Sequence, residues 1–309
     1  MRVGITGGAG FIGANLARHL VSQGIEVSVI DNLSTGNLSN LEGTDVDFVE
    51  GSILDEVAVD KALANVDAIV HLAAVPSVPR SIKDPVTSHD VNATGTLKIL
   101  ESARNKNTHV IVASSSSVYG ANSILPKTED LRAMPVSPYA VSKLATEAYA
   151  NAYQRCYGLP TLAFRFFNVY GPFQAPGHAY AAVIPAFTHA ALLGEPLMVH
   201  GDGRQTRDFT FVGTVVATIS DAIERQVTSA EPVNHAFGTR HSLLDVAGRI
   251  GSQLTQELVL NYVATRPGDV RDSQADSTRL RTLFPSIQPI MLDPGISDTI
   301  EWMKSQLGV

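Results

Sequence analysis

The sequence is almost devoid of cysteine. Cys156 is the only one in 309 residues, so no internal disulfide can form, and this composition favours a reducing compartment. No apolar run reaches the roughly 18–20 residues that a membrane helix needs. The opening stretch, MRVGITGGAG, has no basic segment followed by an apolar one, as a secretory signal would. We therefore expect a soluble, cytoplasmic protein.

Positive charge is also scarce. The chain has 23 Lys and Arg against 30 Asp and Glu, a net charge of −7, and it contains no basic run. We therefore expect binding neither to nucleic acid nor to an anionic membrane, although single arginines can still bind an anionic metabolite. The hydrophobic fraction of 44% is typical of a globular chain, and the length allows a large core.

The first half of the chain alternates strand-like and helix-like segments. The strand-like segments are rich in Val and Ile, and they read MRVGIT, EVSVID, VDFVEG, AIVHLAA and HVIVASS. Segments with helical spacing lie between them, and a long helix near Ser137–Tyr157 precedes a further strand, TLAFRFFNVYG. This alternation predicts an α/β fold of the Rossmann type, a doubly wound parallel sheet with helices on both faces.

The alternation ends after Gly171, where several short elements follow. We therefore predict a nucleotide-binding domain over residues 1–168, to which some later segments return. Residues 169–309 are predicted to form a smaller α/β part that mainly binds the substrate. No His, Cys, Asp or Glu spacing of the kind that binds metal ions is apparent, so no metal site is predicted.

The segment ITGGAGFIG places three glycines between the first strand and the first helix. Gly7, Gly10 and Gly13 allow a tight turn and a close approach of the backbone to a pyrophosphate, which the helix N-terminus attracts. The second strand ends at Asp31, whose carboxylate can accept hydrogen bonds from both ribose hydroxyls and repels a 2′-phosphate. Asn32 follows, not an arginine, so NAD is favoured over NADP. The alternative is a tight turn without a ligand.

The segment SPYAVSK places Tyr139 and Lys143 on one face of the predicted long helix. An ammonium beside a phenol lowers the phenol pKa from about 10, so Tyr139 is expected to exchange a proton with a sugar hydroxyl. A hydroxyl of the serine run ASSSSVYG, at the end of a neighbouring strand, can bind the same substrate oxygen. For an isolated Tyr–Lys pair, an ordinary surface role is the alternative.

With these motifs in order, the chain resembles the extended short-chain dehydrogenase/reductases, in particular UDP-sugar 4-epimerases of the UDP-glucose and UDP-N-acetylglucosamine type. The resemblance covers essentially the whole chain. Besides the segments above, it rests on DNLSTG, HLAA, SVPRSIKDP, RFFNVYGP, YAAVIPAF, GDGRQTRDFTFV and RPGD.

The resemblance implies a role for each matching position. Ser115, Tyr139 and Lys143 match the catalytic residues, with Tyr139 and Lys143 also at the cofactor. The other expected NAD contacts are Gly7, Gly10, Phe11, Ile12, Gly13, Asp31, Asn32, Ser34, Thr35, Ser52, Ile53, Leu72, Ala73, Ala74, Asn92 and Phe167. The expected UDP-sugar contacts are Ser115, Ser116, Tyr139, Asn168, Val183, Arg207, Arg266 and Ser273. Ser52 departs from the family pattern, in which an Asp at this position binds the adenine amine.

The resemblance also separates reactions within the family. Related dehydratases and decarboxylases carry acids after the catalytic hydroxyl, whereas this chain has Ser116 and Ser117. The implied reaction is 4-epimerisation through a 4-keto sugar. Members with a Tyr seven positions after the RPGD arginine exclude N-acetyl sugars. Here that position is Ser273, so UDP-GlcNAc and UDP-GalNAc are expected as well as UDP-Glc and UDP-Gal.

The closest alternative reaction is UDP-glucuronate 4-epimerisation, and a more distant one is a non-catalytic NAD-binding sensor, which would be expected to lack Tyr139 or Lys143. The resemblance implies a homodimer through the long helix and the segment GTLKILESARN.

Overall fold

Segments from residues 2–166 and 233–235 form a seven-stranded sheet in which every pairing is parallel. The computed structural model describes residues 1–176, 182–265 and 271–309. Its strands are β1 (Arg2–Thr6), β2 (Glu26–Asp31), β3 (Asp47–Glu50), β4 (Ala68–His71), β5 (His109–Ser115), β6 (Thr161–Phe166), β7 (Val169–Tyr170), β8 (Leu197–His200), β9 (Thr206–Arg207), β10 (Thr210–Phe211), β11 (Val233–His235), β12 (His241–Ser242) and β13 (Leu260–Val263). The strand order in the large sheet is β11-β6-β5-β4-β1-β2-β3.

Helices cover both faces of this sheet. They are α1 (Phe11–Ser22), α2 (Glu56–Ala62), α3 (Val78–Lys83), α4 (Pro85–His89), α5 (Gly95–Arg104), α6 (Pro138–Tyr157), α7 (Val183–Leu192), α8 (Val212–Glu224), α9 (Leu243–Leu254), α10 (Thr278–Leu283) and α11 (Leu292–Leu307). A π-helical turn, Asp90–Thr94, joins α4 to α5, and 3₁₀ turns lie at Leu38–Leu41 and Ser116–Tyr119. The predicted Rossmann-type α/β fold is confirmed.

Alternation along each strand explains why both faces are covered. In β5, Ile111 packs in the core beneath α1 and α8, while its neighbours Val110 and Val112 pack in a second core with α2, α5 and α6. All three are at most 1% exposed. Apolar side chains on both sides of a strand require helices on both sides, as in other parallel sheets.

The segment TLAFRFFNVYG is wrongly predicted as one continuous strand. β6 ends at Phe166, and the chain turns at Asn168, where φ is +35°. It then forms the separate short strand β7, which pairs with β10. Asn is among the few residues other than glycine that adopt positive φ with modest strain, so Asn168 itself favours the turn.

Segments from the second half of the chain return to the large sheet. β11 pairs with β6 at its edge, and α8 packs against α1. The remaining strands form two-stranded pairs, β7 with β10, β9 with β12 and β8 with β13. Within the described ranges, no helix is both long enough and apolar enough to cross a membrane.

Candidate active site

A cleft of about 470 Å³ runs along the carboxyl ends of β1 to β6. This is the edge at which open parallel sheets bind ligands. Most of the predicted cofactor residues line it, namely Gly7, Gly10, Phe11, Ile12, Gly13, Asp31, Asn32, Ser34, Thr35, Ser52, Ile53, Leu72, Ala73 and Ala74. Ser115, Tyr139, Lys143 and Asn168 line the same cleft.

The glycine turn forms a cradle that a side chain would fill. Gly7 has φ of +72°, and a Cβ atom there would lie 2.7 Å from the amide nitrogen of Ala73. A Cβ atom on Gly13 would lie 2.3 Å from the carbonyl oxygen of Gly7. Gly10 caps α1 without a side-chain hydrogen bond, so the first amides of the helix stay available to an anion. These residues fit the pyrophosphate of a dinucleotide.

Asp31 is fixed at the end of β2 by its neighbours' backbone. One carboxylate oxygen accepts a hydrogen bond from the amide of Ala9 at 3.0 Å and the other from that of Leu33 at 2.8 Å. Burial raises the pKa of Asp31, and both hydrogen bonds oppose that rise. The cleft-facing carboxylate therefore suits hydrogen bonding to ribose hydroxyls, as NAD requires.

Helix α6 places Tyr139 and Lys143 beside the end of β5. The hydroxyl of Ser137 caps the helix by accepting from the amide of Ala140, and Pro138 occupies its first turn. Lys143 is 5% exposed and donates from Nζ to the carbonyl oxygen of Ala113 at 2.9 Å. Burial lowers the pKa of Lys143 to about 8. The protonation of Lys143 therefore changes within about one pH unit of neutrality.

Burial also raises the pKa of Tyr139, while a hydrogen bond with Ser115 opposes the rise. The expectation that Lys143 lowers the Tyr139 pKa below its usual value is wrong for the protein alone, because desolvation of the phenolate outweighs the other influences. The hydrogen bond nevertheless joins two of the predicted catalytic groups directly.

Two predicted cofactor residues lie behind the cleft wall. Asn92 is 1% exposed, and its side chain accepts from the amide of Val75 and donates to the Ser142 hydroxyl, so it holds the loop after β4. Phe167 is fully buried and packs against Tyr119, with ring centroids 6.2 Å apart. Its neighbour Phe166 lines the cleft instead.

Sequence reasoning missed several lining residues, including Phe166, Ser114, Val75 and Pro76. Strand register is the signal that could have found Phe166. In the parallel pairing of β5 with β6, Phe166 stands opposite Ser115 at the end of the strand. The choice between Phe166 and Phe167 depends on where β6 ends, which a sequence pattern fixes only to within a few residues.

Of the remaining predicted sugar contacts, Ser116 lies in the first half of the chain and the other four in the second half. Arg207 donates from Nη1 to the carbonyl oxygens of Thr206 at 2.9 Å and Arg271 at 3.1 Å, and the amide of Ser273 donates to Thr206. Arg207 and Ser273 are therefore held on adjacent segments. Ser116 lies in the turn after β5, Val183 begins α7, and Arg266 lies outside the described residues. None of these four described residues lines the cleft.

Comparison with known proteins shows the family to which the chain belongs. Residues 3–235 match the model of the "NAD dependent epimerase/dehydratase family". A UDP-glucose 4-epimerase of Mycolicibacterium smegmatis is 36% identical over 99% of both chains. The chain belongs to this family of enzymes, which confirms the resemblance seen in the motifs and NAD as the cofactor.

Solved structures extend the comparison. A UDP-N-acetylglucosamine 4-epimerase from Methanobrevibacter ruminantium, in complex with UDP-N-acetylmuramic acid, matches with a TM-score of 0.93 and 34% identity, over 99% of this chain and 98% of that one. A UDP-glucuronic acid 4-epimerase from Bacillus cereus, with UDP-glucuronic acid and NAD, matches with a TM-score of 0.89 and 30% identity, over 99% and 100%. These relatives differ in the sugar that they carry.

Proposed function

We propose that the protein is an NAD-dependent 4-epimerase of UDP-hexoses that acts on UDP-Glc and UDP-Gal and also on UDP-GlcNAc and UDP-GalNAc. The observation that carries the proposal is the group Ser115, Tyr139 and Lys143 in one cleft with the glycine cradle. The positions that hold acids in related dehydratases and decarboxylases are Ser116 and Ser117. Without a carboxyl group there, oxidation at C4 and its reversal are the chemistry that remains.

In this mechanism Tyr139 is the proton acceptor and then the proton donor. The glycine turn and Asp31 would hold NAD, which would supply the hydride acceptor and donor for C4 and a positive charge that favours the phenolate of Tyr139. The phenolate takes the proton of the C4 hydroxyl, and Ser115, hydrogen-bonded to Tyr139, holds the same oxygen. Lys143, which lines the same cleft, adds positive charge that favours the phenolate. Rotation of the 4-keto sugar before the return step inverts C4.

The sugar preference rests on Ser273. A serine beside the C2 substituent leaves space for an acetamido group, and the similarity to the Methanobrevibacter ruminantium enzyme supports this assignment. Arg207, held beside the Ser273 segment, is assigned to the UDP diphosphate, with Arg266 as its expected partner.

A substrate panel followed by NMR of the sugar protons tests the proposal. We expect interconversion of UDP-Glc with UDP-Gal and of UDP-GlcNAc with UDP-GalNAc. Ser273→Tyr should lower turnover of the N-acetyl pair by at least about tenfold, because the pocket narrows, and leave UDP-Glc turnover within about threefold. Turnover of UDP-Glc but not UDP-GlcNAc by the wild type would contradict the Ser273 argument.

Tyr139→Phe tests the mechanism. This change removes the proton carrier and leaves the ring, so turnover should fall by at least about a thousandfold while NAD stays bound. An active Tyr139→Phe variant would refute the assigned role. A wild type that turns over UDP-glucuronic acid alone would favour the second candidate, UDP-glucuronate 4-epimerisation, which the similarity to the Bacillus cereus enzyme supports.

A further inference from the structure

Glu147 lies on the face of α6 that carries Tyr139 and Lys143, one turn after the lysine. It is 3% exposed. Its carboxylate accepts from the Ser114 hydroxyl at 2.6 Å and from two nitrogens of Arg165, Nη2 at 2.6 Å and Nε at 3.0 Å. A buried carboxylate with three donor atoms, two of them from one bidentate guanidinium, holds its neighbours in one arrangement.

Of the two partners of Glu147, Ser114 lines the cleft itself and Arg165 stands next to a lining residue. Ser114 directly precedes Ser115 on β5, and its hydroxyl also lies 3.3 Å from the carbonyl oxygen of Lys143. Arg165 directly precedes Phe166 on β6, which pairs with Ser115. Glu147 therefore connects α6, which carries the reacting phenol and ammonium groups, to the ends of β5 and β6. These strand ends carry Ser115 and Phe166.

The remaining donor of Arg165 continues the network away from the cleft. Nη1 donates to the hydroxyl of Tyr119 at 2.9 Å, and Tyr119 donates to Oδ1 of Asn234 on β11 at 2.7 Å. Arg165 and Asn234 are 5% and 0% exposed. Since each member is buried and bonded, a shift of α6 against β5 would leave charged or polar groups unpaired, which is costly in a low dielectric.

We propose that Glu147, Arg165 and Ser114 are positioning residues of the active site, which fix Lys143 on α6 and Ser115 on β5 in the arrangement that Tyr139 needs to exchange its proton. The inference rests on the proposed function, because it takes Ser115, Tyr139 and Lys143 as the reacting groups. It predicts that loss of the Ser114 hydroxyl affects the chemical step and not the binding of the sugar nucleotide.

Ser114→Ala is the test, since it deletes the bridge and leaves the Glu147–Arg165 pair intact. In the NAD-loaded protein, we expect kcat to fall by at least about tenfold with KM within about threefold. The titration of Tyr139, read at 295 nm as the difference from the matching Tyr139→Phe protein, should move upward by at least about half a pH unit. Glu147→Gln, which keeps the shape but removes the charge, should lower kcat in the same way.

Thr161→Val is the matched control. Thr161 is fully buried, and its hydroxyl donates to the carbonyl oxygen of Ala150 on α6 at 3.0 Å, so it also joins the sheet to this helix. It lies at the start of β6, whereas the cleft lies at the other end of the strand. We expect lower stability, with kcat, KM and the Tyr139 titration unchanged. A wild-type titration and kcat in Ser114→Ala would overturn the inference, as would equal changes in Thr161→Val. If no UDP-sugar is turned over by the wild type, the proposed function fails, while the titration still decides the positioning role.

Discussion

At the scale of single residues, burial sets the proton affinities around the cleft. It lowers the pKa of Lys143 to about 8 and raises the pKa of Tyr139, so burial shifts each residue toward its neutral form, while most Lys143 side chains stay protonated at pH 7. A phenol and an amine in this condition respond strongly to any charge that enters the cleft.

His235 gives a pH-dependent prediction at this scale. Its ring is fully buried among Phe164, Phe166 and Phe237, with centroids 5.2, 5.5 and 6.1 Å away, and in the described part of the chain neither ring nitrogen has a hydrogen-bond partner. Burial lowers the His235 pKa to about 4. The unfolded chain takes up a proton near the ordinary value of about 6.5, so His235 stabilises the fold above that pH relative to acid.

We therefore expect the free energy of unfolding to fall by up to about 3 kcal/mol as the pH drops from 6.5 toward 4, on account of His235. His235→Leu should remove this part of the acid sensitivity and show a flatter pH profile in urea unfolding. The exposed His89 provides the control variant, His89→Gln, which should keep the wild-type profile. If His235→Leu loses stability with acid as steeply as the wild type, the prediction fails.

A motif that fixes the backbone also fixes where its side chains lie. The glycines, Asp31, Tyr139 and Lys143 all line the cleft because their spacing on strand, turn and helix leaves little choice. Asn92 and Phe167 do not line it, because a loop contact and a strand end decide their direction. The role of Ser114 depends on Glu147 and Arg165, which are distant in sequence, so no local pattern reveals it.

At the scale of elements, the turn between β1 and α1 makes the sharpest prediction. A Cβ atom on Gly13 would meet the Gly7 carbonyl oxygen at 2.3 Å and the Gly8 Cα at 2.6 Å, both backbone atoms that have no side-chain freedom. Gly13→Ala should open the turn, so that the purified protein carries little NAD, measured by absorbance after denaturation.

Gly248→Ala is the control for this change. Gly248 lies in α9, where an added Cβ atom meets nothing within 4 Å. NAD content should be unchanged, and stability should rise by up to about 1 kcal/mol because alanine favours a helix interior. Full NAD content in Gly13→Ala would contradict the assignment of this turn to the pyrophosphate.

Elements were predictable where a periodic pattern runs for several residues. The segment HVIVASS is β5 without change, and the long helix begins at Pro138 with Ser137 as its cap. The short strands β7, β9, β10 and β12 have two residues each, and such pairs form because the chain is folded back beside a partner. Their tertiary origin is the physical reason that the sequence does not show them.

At the scale of the whole molecule, α6 exposes apolar side chains. Val141 and Tyr149 are 52% and 38% exposed, although they lie on a helix otherwise packed against the sheet. This supports the homodimer that the family resemblance implies. We expect light scattering after gel filtration to give twice the mass of 32.9 kDa, and Val141→Glu with Tyr149→Glu to give the monomer. A wild-type monomer at micromolar concentration would refute the expectation.

The apolar core contains residues from both sides of position 168. One cluster of buried side chains contains Val3 and Leu16 from the first part together with Val215, Ile219 and Ile300 from the second. α8 covers the same face of the sheet as α1 and packs directly against it. Neither part can separate without exposing this shared apolar surface, so the two should unfold as one cooperative unit.

Two spectroscopic probes can test whether the two parts unfold together. Trp302 is the single tryptophan and lies in α11, so its fluorescence follows the second part, whereas far-UV circular dichroism follows both. We expect the two thermal transitions to coincide. Ile219→Ala, a fully buried position on α8, should lower the free energy of unfolding by about 2–5 kcal/mol and shift both transitions together. A Trp302 transition that moves alone, at lower temperature than the dichroism, would show that the second part unfolds independently and that the interface of α8 with α1 does not couple them.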